Sequence, residues 1–309
     1  MKTKAHTCGF SRNSLFLLAL LASVMLSSNI FAGDIKVLQE KTFPTQPGKN
    51  LYLSTSVGDV SITTWDRAEI YVKISGNRNA EKKMIFHFEP KNEGLNIYGK
   101  RDSWLQWLFW SSLNLKYEIK IPANFNAHIN TSGGNIKVTG IKGSTKLETS
   151  GGDVVLMNSS GRSILSTSGG DIKVDGQSGD IKASTSGGDI IVRNTAGNLY
   201  VSTSGGDIVL ENKSGEVHAN TSGGDISLNY RDANYGIYLG TTGGDILVKV
   251  PSEFSASADL HTTGGDVSCD LPVTRNGKWN SSRIKGDLNA GGKPLNCTTT
   301  GGDIKVIKQ

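Results

Sequence analysis

A six-residue motif, Thr-Ser-Gly-Gly-Asn-Ile at Thr131, recurs in close copies at Thr149, Thr167, Thr185, Thr203 and Thr221, each step being 18 residues. Further copies start at Thr241, Thr262 and Thr299, after steps of 20, 21 and 37. A degenerate one, Thr55-Ser56-Val57-Gly58-Asp59-Val60, lies far upstream. A fixed period near 20 residues is the signature of a solenoid, because one such unit cannot bury its apolar face alone and stacked units can.

Aligned as columns, the copies show which way each side chain points. Ile136, Val154, Ile172, Ile190, Ile208, Ile226, Ile246, Val267 and Ile304 follow the Asn or Asp, and Val138, Leu156, Val174, Val192, Leu210, Leu228, Val248, Cys269 and Val306 come two residues later. Apolar residues at i and i+2 form one face of a β-strand. A second strand precedes each Gly pair, with Ile129, Leu147, Leu165, Ala183, Val201, Ala219, Leu239, Leu260 and Cys297 inward and Glu148, Ser166, Ser184, Asn220 and His261 outward. The spacing therefore predicts an all-β parallel β-helix or β-roll of about 18-residue coils over 127–309. The Gly pair is expected at the corner with φ > 0, and the Thr column as a stacked hydroxyl ladder.

Composition agrees. Gly accounts for 38 of 309 residues, well above the usual share of about 7%. That disfavours helices, where Gly costs about 1 kcal/mol against Ala, and the pairing of the glycines excludes a collagen repeat. Residues 33–126 read as an irregular β-rich region, either a cap or further imperfect coils. Strands are expected over 59–64, 69–74, 84–88 and 95–98, and in the alternating Tyr117, Ile119, Ile121 segment before Pro122. Residues 270–296 interrupt the repeat before its last copy. Gly286-Asp287-Leu288-Asn289-Ala290 echoes the half-repeat at Gly179, which suggests a coil carrying an inserted loop.

Residues 1–32 read as a secretory signal peptide: Lys2, Lys4 and Arg12, then the apolar run Leu15–Leu26, then a small-residue segment ending at Ala32. Cleavage near Ala32 would leave an exported chain, periplasmic or extracellular, with no transmembrane segment. Removing those three residues leaves 30 basic (33 less 3) against 28 acidic residues, a net charge of +2. So even a balance points to neither nucleic acid nor a membrane surface as partner.

Three features invite a chemical role. Asp153, Asp171, Asp189, Asp207, Asp225 and Asp245, with Asp266 and Asp303, would stack as a column of carboxylates. Calcium-binding β-rolls also use 18-residue coils with Gly and Asp in the turns, but there Asp stands two residues before the aliphatic position, whereas here it stands directly before it. The other reading is an Asx-type turn in which each Asp accepts backbone N–H bonds around the corner. The segment Trp104-Leu105-Gln106-Trp107-Leu108-Phe109-Trp110 does not alternate; Trp104, Trp107, Phe109 and Trp110 form either a buried plug or an exposed interaction loop. Cys269 and Cys297 both replace aliphatic residues in inward columns, and in an exported chain they suggest a disulfide. His128 and His218 share an outward column with Lys146, Lys182 and Tyr200 and read as ordinary surface. No metal-ligand spacing, phosphate loop or nucleophile elbow occurs, so no catalytic residue and no cofactor is assigned. A carbohydrate-active β-helix enzyme would need a carboxylate pair set apart from the column.

The Thr-Ser-Gly-Gly-Asp-Ile units resemble the bacterial "putative adhesin" family of β-strand-repeat proteins of unknown function. So do Asp59-Val60-Ser61-Ile62-Thr63-Thr64-Trp65-Asp66, Tyr117-Glu118-Ile119-Lys120-Ile121-Pro122 and Gly301-Gly302-Asp303-Ile304-Lys305-Val306. The resemblance spans essentially the whole chain after residue 32. It implies an exported β-solenoid with adhesion or envelope-associated roles, and it transfers no catalytic residues; the outward columns, rich in Thr, Ser, Asn and Lys, for their part suit a non-enzymatic surface that binds a glycan or an envelope protein. An adhesin also needs an anchor or an autotransporter segment, and the sequence displays neither.

Overall fold

Each repeat folds into two short strands, one on either side of its Gly-Gly corner. Ser163–Ser166 and Ile172–Ser178 make one coil, Ile181–Ser184 and Ile190–Thr195 the next. The computed structural model describes residues 35–102, 113–274 and 279–309. Within these, strands following the Asp join into a first sheet of 13 strands, and those preceding the Gly pair into a second sheet of 15. Along the regular repeats both ladders are parallel and pair residue i with i+18, as in Val154 with Ile172 and Leu147 with Leu165. The chain is thus a β-solenoid with two flat faces.

The predicted inward columns line the space between the sheets. Ile136, Val154, Ile172, Ile190 and Ile304 on the first sheet, and Ile129, Leu147, Leu165 and Leu260 on the second, are fully buried. Only in the coil that ends the first sheet do the column residues emerge, Val267 and Cys269 being half-buried. One polar column runs with them, at Ser159, Gln177, Thr195 and Asn212. Gln177 Nε2 donates to the Gly161 carbonyl at 2.6 Å, and Asn212 Nδ2 to the Gly197 carbonyl at 3.1 Å, so these side chains satisfy the backbone of the second corner.

The Gly pair serves a purpose other than the expected one. None of its members in the repeats has positive φ; the left-handed glycines of the regular coils include Gly161, Gly179, Gly197 and Gly215 at the opposite corner. What the pair supplies is closeness. A Cβ on Gly188 would collide with the carbonyl oxygen of Gly170, one coil back, and the same collision recurs at Gly170, Gly206, Gly224 and Gly244. At the first glycine of the pair, Gly187, the nearest atom to such a Cβ would be 3.6 Å away, an ordinary contact.

Coils do not stack in chain order at either end. Strands Asn50–Thr55 and Asp59–Trp65 make a true coil, aligned with the coil of Asn126–Thr131 and Ile136–Thr139 (Tyr52 beside His128, Val60 beside Ile136). The coil built from Gly94–Arg101 and Leu115–Pro122 then packs on the other side of it. At the far end the final copy, Pro294–Thr299 with Ile304–Lys308, slots between the coil of Ile237–Gly240 and Ile246–Val250 and that of Ala256–Thr262 and Val267–Cys269. The copy at Thr299 is therefore not the outermost coil. Nor does the half-repeat at Gly286 build a coil: Arg283–Leu288 runs antiparallel along Ala256–Thr262. Antiparallel strands also close the other end, where Met84–Lys91 lies on Gly94–Arg101 and Glu69–Gly76 on Leu115–Pro122. Three of the four parallel edges are thus covered, the first sheet ending on Val267–Cys269.

The two glycines of one corner are expected to separate on mutation. Gly188→Ala forces a side chain against backbone and should cost ~1–3 kcal/mol, whereas Gly187→Ala should stay within ~1 kcal/mol of the parent. Urea unfolding of the two variants reads the difference directly.

Candidate functional site

The aspartate column is a hydrogen-bonded ladder. The backbone N–H of Asp171 donates to Asp153 Oδ1 at 2.9 Å, Asp189 to Asp171 at 3.0 Å, Asp207 to Asp189 at 2.9 Å, Asp225 to Asp207 at 2.8 Å and Asp245 to Asp225 at 2.7 Å. Asp303 donates to Asp245 and Asp266 to Asp303, which follows the order of coils in space. The N–H bonds therefore link successive coils, where the sequence suggested bonds around a single corner. Like charges one strand apart, about 4.8 Å, repel by about 1 kcal/mol in water, and each aligned N–H dipole offsets part of that. Asn135 occupies the same position without a charge and accepts the Asp153 N–H at 2.8 Å. Among the described residues no group of three or more His, Cys, Asp or Glu is arranged to hold a metal ion.

The threonine column works in parallel with it. Thr185 Oγ1 donates to the Gly170 carbonyl of the previous coil at 2.9 Å and accepts the N–H of Gly188 at 3.4 Å. Thr167, Thr203, Thr221 and Thr241 repeat the pattern. The hydroxyls thus bond to backbone, not to one another as a hydroxyl ladder would require.

Cys269 and Cys297 are both free cysteines. They stand on facing sheets of adjacent coils. Cys297 is wholly buried between Leu239 and Leu260, and burial pushes its thiol far up, with a smaller contribution from Cys269. The Cys269 thiol, also raised by burial, is turned instead toward the Leu271 carbonyl, 3.8 Å away. Trp104, Trp107, Phe109 and Trp110 lie outside the described residues, as does the segment 1–32.

The outward face of the second sheet carries the column that the sequence read as ordinary surface, now with its ring geometry and with Tyr52 and Tyr238 added. The residue three before each Thr falls in one row: Tyr52 beside His128, His128 beside Lys146, then Ile164, Lys182, Tyr200, His218 and Tyr238. Its aromatic members form two groups. Tyr200, His218 and Tyr238 pile face to face, with centroids 5.0 and 4.5 Å apart and planes within 17°. Glu216 ties this pile together, accepting from the Tyr200 hydroxyl at 3.2 Å and lying 3.1 Å from His218 Nε2. At the other end Tyr52 meets His128 edge-on (5.0 Å, 89°) and Tyr98 obliquely (5.8 Å, 55°). This second group walls a groove of about 550 Å³ that Asn50, Asn96, Asn126 and Lys146 also line. Beside it, Glu148 accepts from Lys146 at 2.9 Å and lies 3.3 Å from His128. Burial raises the Glu148 carboxyl, but those two neighbours outweigh it and hold the group below the usual range.

Fold and ladders together define a parallel β-solenoid whose charged column is committed to its own backbone. The chain belongs to the Toastrack DUF4097 family, whose model matches residues 49–307. No curated protein matches the sequence. Solved structures similar to it include a "putative adhesin" of Bacteroides fragilis, at 12% identity and a TM-score of 0.46, covering 89% of this chain and 98% of that one. A "putative lipid binding protein" of Parabacteroides distasonis matches at 12% identity and 0.44, over 89% and 98%. A "putative cell adhesion protein" of Clostridium sporogenes matches at 11% and 0.23, over 89% and 100%. Among the described residues no helix is long and apolar enough to cross a membrane.

If the aspartates serve the ladder, an amide should replace a carboxylate at little cost. Asp207→Asn is expected to stay within ~0.5 kcal/mol of the parent, while Asp207→Ala, which orphans the Asp225 N–H, should lose about 1 kcal/mol. EDTA should leave the melting temperature unchanged; a lowered value, or an Asn variant as weak as the Ala one, would point to a bound cation.

Proposed function

We propose that this protein is exported and acts, without catalysis, as a binding solenoid of the bacterial cell envelope, with the outward face of its second sheet as the working surface. The observation that carries this reading is the register of that sheet, which sets Tyr52, His128, Tyr200, His218 and Tyr238 in one row on a rigid support. A partner of repetitive form, glycan or protein, would meet outward side chains at a regular spacing of about 4.8 Å. Lys2, Lys4 and Arg12 ahead of the apolar run Leu15–Leu26 support export. The calcium-roll alternative would have to draw on carboxylates whose Oδ1 atoms already accept backbone N–H bonds. The enzyme alternative requires a carboxylate pair distinct from the column, and the surface row supplies Glu148 and Glu216 only as partners of its own His, Lys and Tyr side chains.

Export has a chemical corollary. In an oxidising compartment Cys269 and Cys297 would close into a disulfide joining the last two coils across the core, after rotation of the Cys269 side chain away from Leu271.

Cell fractionation with N-terminal sequencing should find the chain in the periplasm or at the surface, beginning near residue 33. Cytoplasmic protein retaining residues 1–32 would overturn the proposal. For the cysteines, titration with a thiol reagent after unfolding in denaturant should find none free in protein recovered from the envelope; two reactive thiols would reject the bridge.

A further inference from the structure

We propose that the groove walled by Tyr52 and Tyr98 is a binding site for a neutral saccharide; this rests on the binding role proposed above and names its ligand class. The two aromatic groups of the row differ in what they leave available. In the Tyr200–His218–Tyr238 pile the rings cover one another's faces and present edges to solvent. In the groove the rings cross at 89° and 55°, so ring faces are left unconsumed by ring stacking, and only the Lys100 ammonium stands over Tyr98, 5.7 Å from its centroid. A pyranose has one weakly polar C–H face and a rim of hydroxyls. It suits an aromatic wall flanked by groups that donate and accept in the plane of the sugar.

The groove has such a flank, and its side chains are held in place. Asn126 Nδ2 donates to Asn50 Oδ1 at 2.9 Å, and Asn126 Oδ1 accepts the Ser144 N–H at 2.8 Å, which fixes both carboxamides. Asn96 Nδ2 donates to the Tyr98 hydroxyl at 3.2 Å. The volume of about 550 Å³ falls within the range of small-molecule sites, about 300–1,000 Å³.

Charge selects the kind of sugar. Lys146 is neutralised by Glu148, which also faces His128; the remaining charges are Glu93 on the groove wall and Lys100, whose Nζ lies 5.7 Å from the Tyr98 ring centroid, one of each sign. No surplus of positive charge awaits a uronate, sulfate or phosphate, so an acidic polysaccharide gains nothing here. A neutral ring with hydroxyl or acetamido substituents does, because the carboxamides both donate and accept and the carboxylates accept from its O–H or N–H groups.

The test is calorimetric titration of protein purified from the envelope fraction with cellohexaose and chitohexaose as neutral probes and oligogalacturonate as the acidic one. At least one neutral probe should bind, independently of salt. Tyr52→Ala or Tyr98→Ala should weaken it at least about tenfold, the loss of roughly one aromatic contact, while Tyr235→Ala, at an exposed tyrosine outside both the row and the groove lining, should leave it unchanged. Asn96→Ala, which keeps both rings, guards against a tyrosine variant that fails to fold and should also weaken binding. Binding of neither neutral probe, binding that survives these groove substitutions, or preferential salt-sensitive binding of oligogalacturonate would each overturn the proposal. Envelope association measured in parallel separates the two levels: protein retained there but blind to saccharide refutes this site alone, whereas protein that never reaches the envelope removes the reading beneath it.

Discussion

The second glycine of each corner lies so near the carbonyl of the coil before it that no side chain fits between them, and the rest of the structure depends on that contact. With the corners in register, Thr185 reaches back to Gly170 and Asp189 accepts from Asp207, so that three hydrogen-bonding partners recur at every step. Backbone closeness then sets both sheets at one spacing, and the apolar columns fill the space between them. A core built this way tolerates an occasional small side chain. Ala183 and Ala219 sit fully buried in the same column as Leu147 and Leu165, because stacked backbone supplies much of what bulky residues supply in a globular domain.

Much of this was legible in the sequence. The i, i+2 pattern around each Gly pair gave both strands and their inward faces, and Tyr117, Ile119 and Ile121 are buried as their alternation required. The reason for the glycines was harder to read, since a tight turn and a close approach call for the same residue. The left-handed positions carry their own signal, Gly140, Asn158, Gly176 and Asn194 at 18-residue intervals, a mark of residues that tolerate φ > 0. The order of the coils at the ends was not legible. The copies at Thr241, Thr262 and Thr299 present the same motif, so any of them can pair with any other, and only the connecting segments decide which two become neighbours.

The surface row was legible in part. His128, Lys146, Lys182, Tyr200 and His218 fall in one column from the spacing alone, but a column of single outward residues looks like ordinary surface until ring geometry is known. Tyr52 was hidden by distance along the chain. Aligning Thr55 with Thr131 places Tyr52 beside His128, and that alignment was the available signal. The aspartates posed the opposite problem: they were conspicuous in sequence, and the structure commits their oxygens to neighbouring backbone. Repetition marks what holds a solenoid together, and positions that vary from coil to coil, such as this mixed row of Tyr, His, Lys and Ile, mark where binding is better sought.

The interleaved end coils bear on how a chain of this kind can change length over generations. Slippage between near-identical repeats can add or remove an 18-residue unit anywhere between Thr149 and Thr221, because those coils meet only their sequence neighbours. The same event at either terminus would separate a coil from the partner it is threaded against, since Pro294–Thr299 must still find both Ile237–Gly240 and Ala256–Thr262. Relatives should therefore vary in the number of central coils and keep both ends intact. A surface row that lengthens from its middle can be tuned to polymers of different extent without disturbing the groove at its N-terminal end.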